Sequence, residues 1–299
     1  MRDYIGYSNG EWIPDSQFSI DPDDLGYMLG AVVFETLRTF NGKPFTWQEH
    51  VDRLFRSLKY VRIDPGLSKS DVIDILEEAA ARNEDVRHEV GDFNLWPSVT
   101  MGPTMDGPAR VYVRVKPVPW DTFTRFFFEG AHGVIAKSRS YSSQFLDPKA
   151  KHHSRLNMVL GHQEVRDVDP DALPVFMDID GNISEGGGFN VMMVKDGMIR
   201  TPTDRAILQG ISRGVVMNLA DGLNIPLVEE DIQPYDLYTA DEVFFTRTTP
   251  GIVPVARIDN RTIGDEAPGP VTTQLLSAYS ELVGLDIVDQ ATHYATPWL

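Results

Sequence analysis

Glu185 stands directly before three glycines, Gly186, Gly187 and Gly188, and Asn190 follows shortly after. Glycine costs conformational entropy wherever it sits, so an acid set against this bare stretch points to a bulky ligand close to the main chain. Lys149 and Lys151 lie in the stretch FLDPKAKHHSRL, beside His152, His153 and Arg155. A lysine crowded by other cations gives up its proton more easily and becomes a nucleophile. Gly210, Ile211 and Ser212 open a helical pattern, and the amides of a helix start attract anions. Thr246, Thr248 and Thr249 add hydroxyls at the end of a strand pattern. In HVDRLFRSL, His50, Arg53 and Ser57 share one helical stripe, and Arg53 is a candidate for a bidentate grip on phosphate. Each feature also has a plainer reading: a glycine turn, a serine near a helix start, a surface arginine, a basic loop in water. His152, His153 and Asp147 are weak metal candidates. Adjacent histidines on an extended chain point to opposite faces, and no HExxH spacing is present, so no metal site is expected.

A carboxylate that must stay ionised against a planar ligand can hold a pyridinium proton. Pyridoxal phosphate needs that charge to serve as an electron sink. It also needs a phosphate cup and a lysine. Glu185, the Ile211-Ser212 helix start and Lys151 together supply these parts. No GxGxxG leads into a helix, so a dinucleotide fingerprint is absent.

The surrounding pattern is α+β. YSNGEWI reads as a hairpin turning at Asn9-Gly10, and AVVFETLRTFNGKPFTW as strands turning at Asn41-Gly42. Trp47 to Tyr60 and SKSDVIDILEEAAARN read as helices, and ARVYVRVKPV alternates like a half-buried strand. PVPWDTFTRFFFEGAHG breaks the periodicity and reads as a linker. Beyond it, GVIAKSRSY restarts a sheet, a helix follows from Arg155 to Arg166, and LPVFMDIDGNISEGGGFNVMMVKDGMIRTP reads as strands joined by tight turns. A helix runs from just after Gly210 to Gly222, then a strand pair, then a helix over Val271 to Val283. These patterns divide the chain into an N-terminal α+β domain over 1–120, a linker over 121–130 and a C-terminal domain over 131–299.

The chain has 299 residues, no cysteine and a formal charge of −17. Acidity of that size repels phosphate backbones and anionic membranes, so neither nucleic acid nor membrane is an expected partner. No apolar run approaches a spanning length, and the first residues lack a signal-like apolar core. With no cysteines these features fit a cytoplasmic protein.

The run Glu185-x-x-x-x-Asn190, then Thr201-Pro202, then Leu208-x-Gly210-Ile211-x-Arg213 resembles the signature of the class IV, fold type IV, pyridoxal-phosphate-dependent aminotransferases. FETLR, HVDRL and YVR are similar to branched-chain aminotransferases; EGGGFNVMMVKDG, LQGISR and FFTRTTPGIVPV are closer to (R)-selective amine transaminases. The resemblance implies a two-domain fold with barrel-like sheets and flanking helices, usually a homodimer. It implies that Lys151, in DPKAK, is the Schiff-base lysine, which favours it over Lys149. It further implies that Glu185 holds the pyridine nitrogen, and that Arg53, Gly210, Ile211, Ser212 and Thr248 form the phosphate site, with Asn190 and Arg155 near the cofactor. Phe34, Arg38, Tyr112, Arg114 and Thr249 would line the substrate side. The chain departs from the branched-chain pattern at Leu156, Leu29 and Arg247, where that branch has tyrosine, tyrosine and glycine; Arg155 is the candidate to replace the first. The implied activity moves an amino group from a branched-chain amino acid, D-amino acid or (R)-amine to an α-keto acid by a ping-pong mechanism. KHHSRL itself is similar to the lyase branch, so pyruvate release from an aminodeoxychorismate-like substrate is an alternative, and a non-enzymatic binder of pyridoxal phosphate is another. Whether Arg38 and Arg114 face the pocket would decide for or against a carboxylate-bearing donor.

Overall fold

Val111, Val113 and Val115 are buried, while Arg110, Tyr112, Arg114 and Lys116 between them face the other way. That alternation is the mark of a strand with one face on a core, and it organises the first half of the chain. The computed structural model describes residues 3–295. They divide into two units: the chain up to Val118 together with Ala150–Arg155, and Pro119–Lys149 together with the chain from Leu156 onward.

The first unit contains β1 (Ile5–Ser8), β2 (Glu11–Pro14), α1 (Leu25–Leu29), β3 (Val32–Phe34), β4 (Leu37–Phe40) and β5 (Lys43–Pro44). Then follow α2 (Trp47–Val61), α3 (Lys69–Arg82), α4 (Glu84–Val90), β6 (Phe93–Thr100) and β7 (Arg110–Pro117). The sheet runs β2-β1-β7-β6-β4-β5, with β3 also on β6. Asn9 and Asn41 both take positive φ in their Asn-Gly turns, as such tight hairpins require. Val51, Leu54 and Leu58 of α2 pack with Leu76 of α3 on Val33, Leu37, Leu95 and Val113 of the sheet. A reciprocal cap between Ser68 and Asp71 starts α3, satisfying two otherwise unpaired amides.

Ala150–Arg155 groups with this unit rather than with the sequence around it. Phe34 N–H donates to the Lys151 carbonyl at 3.1 Å and His153 N–H to the Val32 carbonyl at 3.0 Å, so the segment lies along β3. A domain over 131–299 that includes Lys151 therefore does not describe the chain contacts: the pairing is with residues more than a hundred positions away, which no local pattern displays.

The second unit contains α5 (Trp120–Glu129), β8 (Ala131–Arg139), α6 (Leu156–Arg166), β9 (Leu173–Met177), β10 (Ile183–Gly186), β11 (Phe189–Lys195), β12 (Met198–Pro202) and α7 (Ile211–Gly222). It continues with β13 (Leu227–Glu230), α8 (Pro234–Tyr238), β14 (Glu242–Arg247), β15 (Gly251–Ile258), β16 (Arg261–Thr262), α9 (Pro270–Val283) and α10 (Ile287–Tyr294). Its strands run β10-β9-β8-β15-β14-β11-β12-β13, and β10 pairs with β11 as well. The second pairing closes β10, β9, β8, β15, β14 and β11 into a barrel-like ring, which removes free edges from those six strands. With helices against sheets in both units, the fold is of the expected α+β class. Among the described residues no helix is long and apolar enough to cross a membrane.

Residues 121–130, expected as a linker, are instead nearly all helix. In α5, Trp120, Phe123, Phe126 and Phe127 are buried, a spacing that places them along one helical face. Trp120 stacks on Tyr294 of α10 with ring centroids 5.3 Å apart. The flanking prolines and Gly130 disguise the period because they are its boundaries: Pro119 stands before the helix and Gly130 ends it at positive φ. Phe126→Ala should therefore cost about 3–5 kcal/mol as a buried aromatic truncation, read as a lower urea midpoint. Phe128→Ala, at a ring 64% exposed, should change stability by less than about 0.5 kcal/mol.

Candidate functional site

The first group of site residues belongs to the first unit. Ser57 on α2 accepts the Lys151 amide at 3.1 Å, and with the β3 pairing this fixes the lysine backbone on both sides. The Lys151 Nζ lies 4.7 Å from the centre of the Phe34 ring. His153 packs on the same ring at 4.3 Å, and the Arg155 guanidinium is 5.2 Å from it. Arg155 Nε donates to the His152 carbonyl at 2.6 Å, so it braces the lysine loop. Burial, then the charge of Arg155, pushes both His152 and His153 down to about 4, and both rings are neutral near pH 7. Lys149 pairs with Asp147 at 3.2 Å in the second unit.

Beneath the lysine lies a buried charge cluster. Glu35 receives Arg53 Nε on one carboxylate oxygen and Arg53 Nη2 and His50 Nδ1 on the other, each at 2.7 Å. Burial alone would raise the Glu35 pKa; the charge and hydrogen bonds of Arg53, with His50, overcome this and hold it well below the usual carboxylate range. Burial likewise lowers the His50 pKa, partly offset by Glu35. The polar stripe of α2 thus holds Glu35 through His50 and Arg53, and Lys151 through Ser57. The bidentate fork of Arg53 grips Glu35 in this structure. Glu35 itself was missed; the available signal was a lone acid in the otherwise uncharged run from Ala31 to Leu37.

The second group belongs to the second unit. Glu185 and Asn190 face each other across β10 and β11. Glu185 Oε2 accepts the Leu208 amide, and Asn190 Nδ2 donates to the Leu208 carbonyl, both at 2.9 Å. Leu208 is therefore gripped at both of its backbone polar groups, two residues before Gly210 caps α7. A β-carbon on Gly210 would lie 1.9 Å from Asn190 Oδ1, so only glycine fits there. No side chain caps α7 at Gly210, and the amides of its first turn have no intrahelical partner. Ser212 and Arg213 are buried in that turn. Arg213 points to structure rather than ligand, holding Thr201, Pro202 and Glu229. Thr246 pairs with Asn190 across β14 and β11; its hydroxyl is buried with no partner among the described residues. Thr248 is half-buried and Thr249 buried just beyond β14.

The three glycines after Glu185 serve the fold. A β-carbon on Gly186 would lie 1.9 Å from the Phe189 ring and one on Gly187 2.6 Å from His162, while Gly188 turns the hairpin at φ +104°. The close neighbours of Gly186 and Gly187 are the chain's own aromatic and imidazole rings. The acid and the glycines thus have separate purposes.

Phe34, Tyr112 and Arg114 line one cavity of about 430 Å³ in the first unit, together with His153. Arg38 is not in that lining; it is buried, with its guanidinium 4.3 Å over the Phe40 ring. The two arginines do not converge. Leu29 and Leu156, at the departures from the branched-chain pattern, are exposed. The second unit carries a buried acid, open helix-start amides and a partnerless hydroxyl, and the first carries a lysine held by its backbone; these donor types match what pyridoxal phosphate requires. Removing one partner of the Glu35 cluster leaves a charge buried without compensation. Glu35→Gln should accordingly lower stability by about 3–5 kcal/mol, measured as a fall in thermal midpoint.

Comparison with known proteins agrees with this inventory. The profile described as Amino-transferase class IV matches residues 32–258. A Methanocaldococcus jannaschii protein, provisionally named a branched-chain-amino-acid aminotransferase, is 32% identical over 92% of this chain and 95% of its own. The D-alanine aminotransferase of Staphylococcus haemolyticus is 28% identical over 93% of this chain and 97% of its own. A branched-chain amino acid aminotransferase of T.th., solved with N-(5'-phosphopyridoxyl)-L-glutamate, superposes with a TM-score of 0.81 at 26% identity, covering 98% of this chain and 97% of that one. The chain belongs to the class IV aminotransferases, enzymes that work with pyridoxal phosphate.

Proposed function

We propose that the protein transfers an amino group from an amino acid, branched-chain or D-, or from an (R)-amine to an α-keto acid in two half-reactions. The donor carbon is oxidised to a carbonyl and the acceptor carbonyl is reduced to an amine, so the exchange balances without an outside oxidant. The observation that carries this reading is Glu185: a buried carboxylate, fixed on the Leu208 amide, beside the open start of α7. Bound pyridoxal phosphate supplies an electron sink for the pair left on the donor carbon when its proton departs.

The chain's own residues have distinct tasks. Lys151 would hold the cofactor, and its amine is the general base for the proton of the donor carbon. Its backbone is held by Ser57 and β3 and its ammonium by the Phe34 ring, so it moves at the side chain alone. Glu185 keeps a proton on the ring nitrogen; its other oxygen is engaged by Leu208, which fixes its aim. Gly210, Ile211, Ser212 and Arg53 hold the phosphate, with Thr248 adding a hydroxyl and the partnerless Thr246 hydroxyl a neighbouring one. Asn190 acts one step back, by anchoring the peptide that leads into α7. Arg155 braces the lysine loop through the His152 carbonyl. Phe34, Tyr112 and Arg114 face the substrate, with Thr249 and the more distant Arg38 as further candidates. Assembly as a cytoplasmic homodimer is part of the same reading; exposed Phe145 and Leu156 suit a subunit contact, and the lack of cysteine suits a reducing compartment.

Lys151→Ala should lose about 10²–10⁴-fold or more in turnover, the usual contribution of a positioned base, with the circular dichroism spectrum retained. Borohydride reduction of the holoenzyme should place a pyridoxyl mass on the peptide containing Lys151; a wild-type protein with no such mass would refute the assignment. Pyruvate released without an amino acceptor would instead select the lyase.

The neutral histidines set a pH dependence. Unfolded histidine titrates near 6.5, whereas His152 and His153 titrate at about 4 in the fold. Between those values the unfolded chain binds more protons, so stability falls as pH falls. The thermal midpoint should drop between pH 7 and pH 5, and His153→Gln should show a shallower drop.

A further inference from the structure

The cavity beside Phe34 has a composition that separates substrates by charge. Five aromatic rings contribute to its wall, those of Phe18, Tyr27, Phe34, Trp96 and Tyr112. Phe34 belongs both to this wall and to the contact with Lys151 Nζ, so whatever enters lies beside the reacting amine. At about 430 Å³ the space is of ligand size and exceeds what a small aliphatic side chain fills. Aromatic walls favour a planar apolar guest through offset and edge-on ring contacts.

The cation in the wall is already engaged. Arg114 Nε and Nη2 each donate to a different oxygen of Asp15 at 2.9 Å, and Lys116 Nζ donates to the same carboxylate at 2.6 Å. The guanidinium also lies 5.4 Å over the Phe18 ring. Asp24, another wall residue, is buried and accepts from the Gly26 amide and the Thr100 hydroxyl. Arg110 in turn meets Asp21 at 2.9 Å and Asp24 at 3.9 Å. Three cations on this side of the sheet thus face three carboxylates. On this side of the sheet a carboxylate guest would meet three cations already matched by carboxylates, and a buried acid in the wall.

We propose that this cavity receives the side group of the donor, and that it selects an uncharged aromatic group over a second carboxylate, with the Asp15–Arg114 pair as the determinant. The inference rests on the function proposed above and names its substrate class.

The test uses the holoenzyme and both enantiomers of phenylalanine, 1-phenylethylamine, leucine and glutamate. Stopped-flow absorbance of the bound cofactor gives kcat/KM for each half-reaction. The best aromatic donor should exceed the better glutamate enantiomer by at least tenfold. Asp15→Asn should raise the glutamate-to-aromatic ratio by about tenfold by releasing the charge of Arg114, and Trp96→Ala should lower that of the aromatic donor. In parallel, calorimetry on the unreacted holoenzyme should show 3-phenylpropanoate binding at least tenfold tighter than glutarate. Glutamate reacting as well as the aromatic donors, or glutarate binding as tightly as 3-phenylpropanoate, overturns the inference and leaves aminotransfer intact. If no donor of any class reacts, the functional reading fails instead, and the calorimetric comparison still decides the character of the cavity.

Discussion

The backbone of Leu208 is held on both sides, its N–H by Glu185 and its carbonyl by Asn190. Much of the second unit's chemistry depends on that double grip. Glu185 sits on β10 and Asn190 on β11, the pairing that closes the barrel. The same two side chains fix the segment that delivers the start of α7. Barrel closure, the position of the acid and the position of the α7 helix-start amides are therefore one constraint. Gly210 completes it, because a β-carbon there would overlap the Asn190 amide. A site assembled on strands and a helix start, rather than on free loops, holds its geometry without a ligand to order it.

The first unit solves a parallel problem with charge. Glu35, Arg53 and His50 are buried together, an arrangement whose desolvation is costly and whose partners cannot be removed singly. Its value is positional. The cluster ties β3 and the segment after it to α2, and α2 holds the Lys151 amide through Ser57. The lysine is then aligned along β3 with its ammonium on the Phe34 ring. The chain carries a large negative charge, yet around this lysine are Arg155 and two neutral histidines. Local packing, not net charge, decides the electrostatics that a reactant meets.

Glycine shows how one residue type can mislead and inform within a few positions. Gly186 and Gly187 leave room for Phe189 and His162, and Gly188 makes a turn. Gly210 is the glycine tied to the site, and its requirement comes from Asn190, twenty residues earlier. The arginines divide in the same way. Arg53, Arg213 and Arg114 all grip protein acids or carbonyls, so each guanidinium near a motif also has a structural partner.

The sequence alone determined the α+β class, most hairpins and helices, and the spacing of Lys151, Glu185 and the Gly210-Ile211-Ser212 step. Those features are local: period two in β7, period 3.6 in α2, Asn-Gly at turns, glycine before a helix. It also carried the family signature, since that signature is a set of spacings along the chain. The tertiary structure alone decided that Ala150–Arg155 packs along β3, that Arg53 grips Glu35, that Arg38 turns to Phe40, and that Arg114 is held by Asp15. Each is a pairing between residues distant along the chain, and such a pairing leaves no periodic trace in either partner. Residues 121–130 fall between the two cases: their aromatic spacing was legible, but its meaning required a second surface, partly from α10, to bury it.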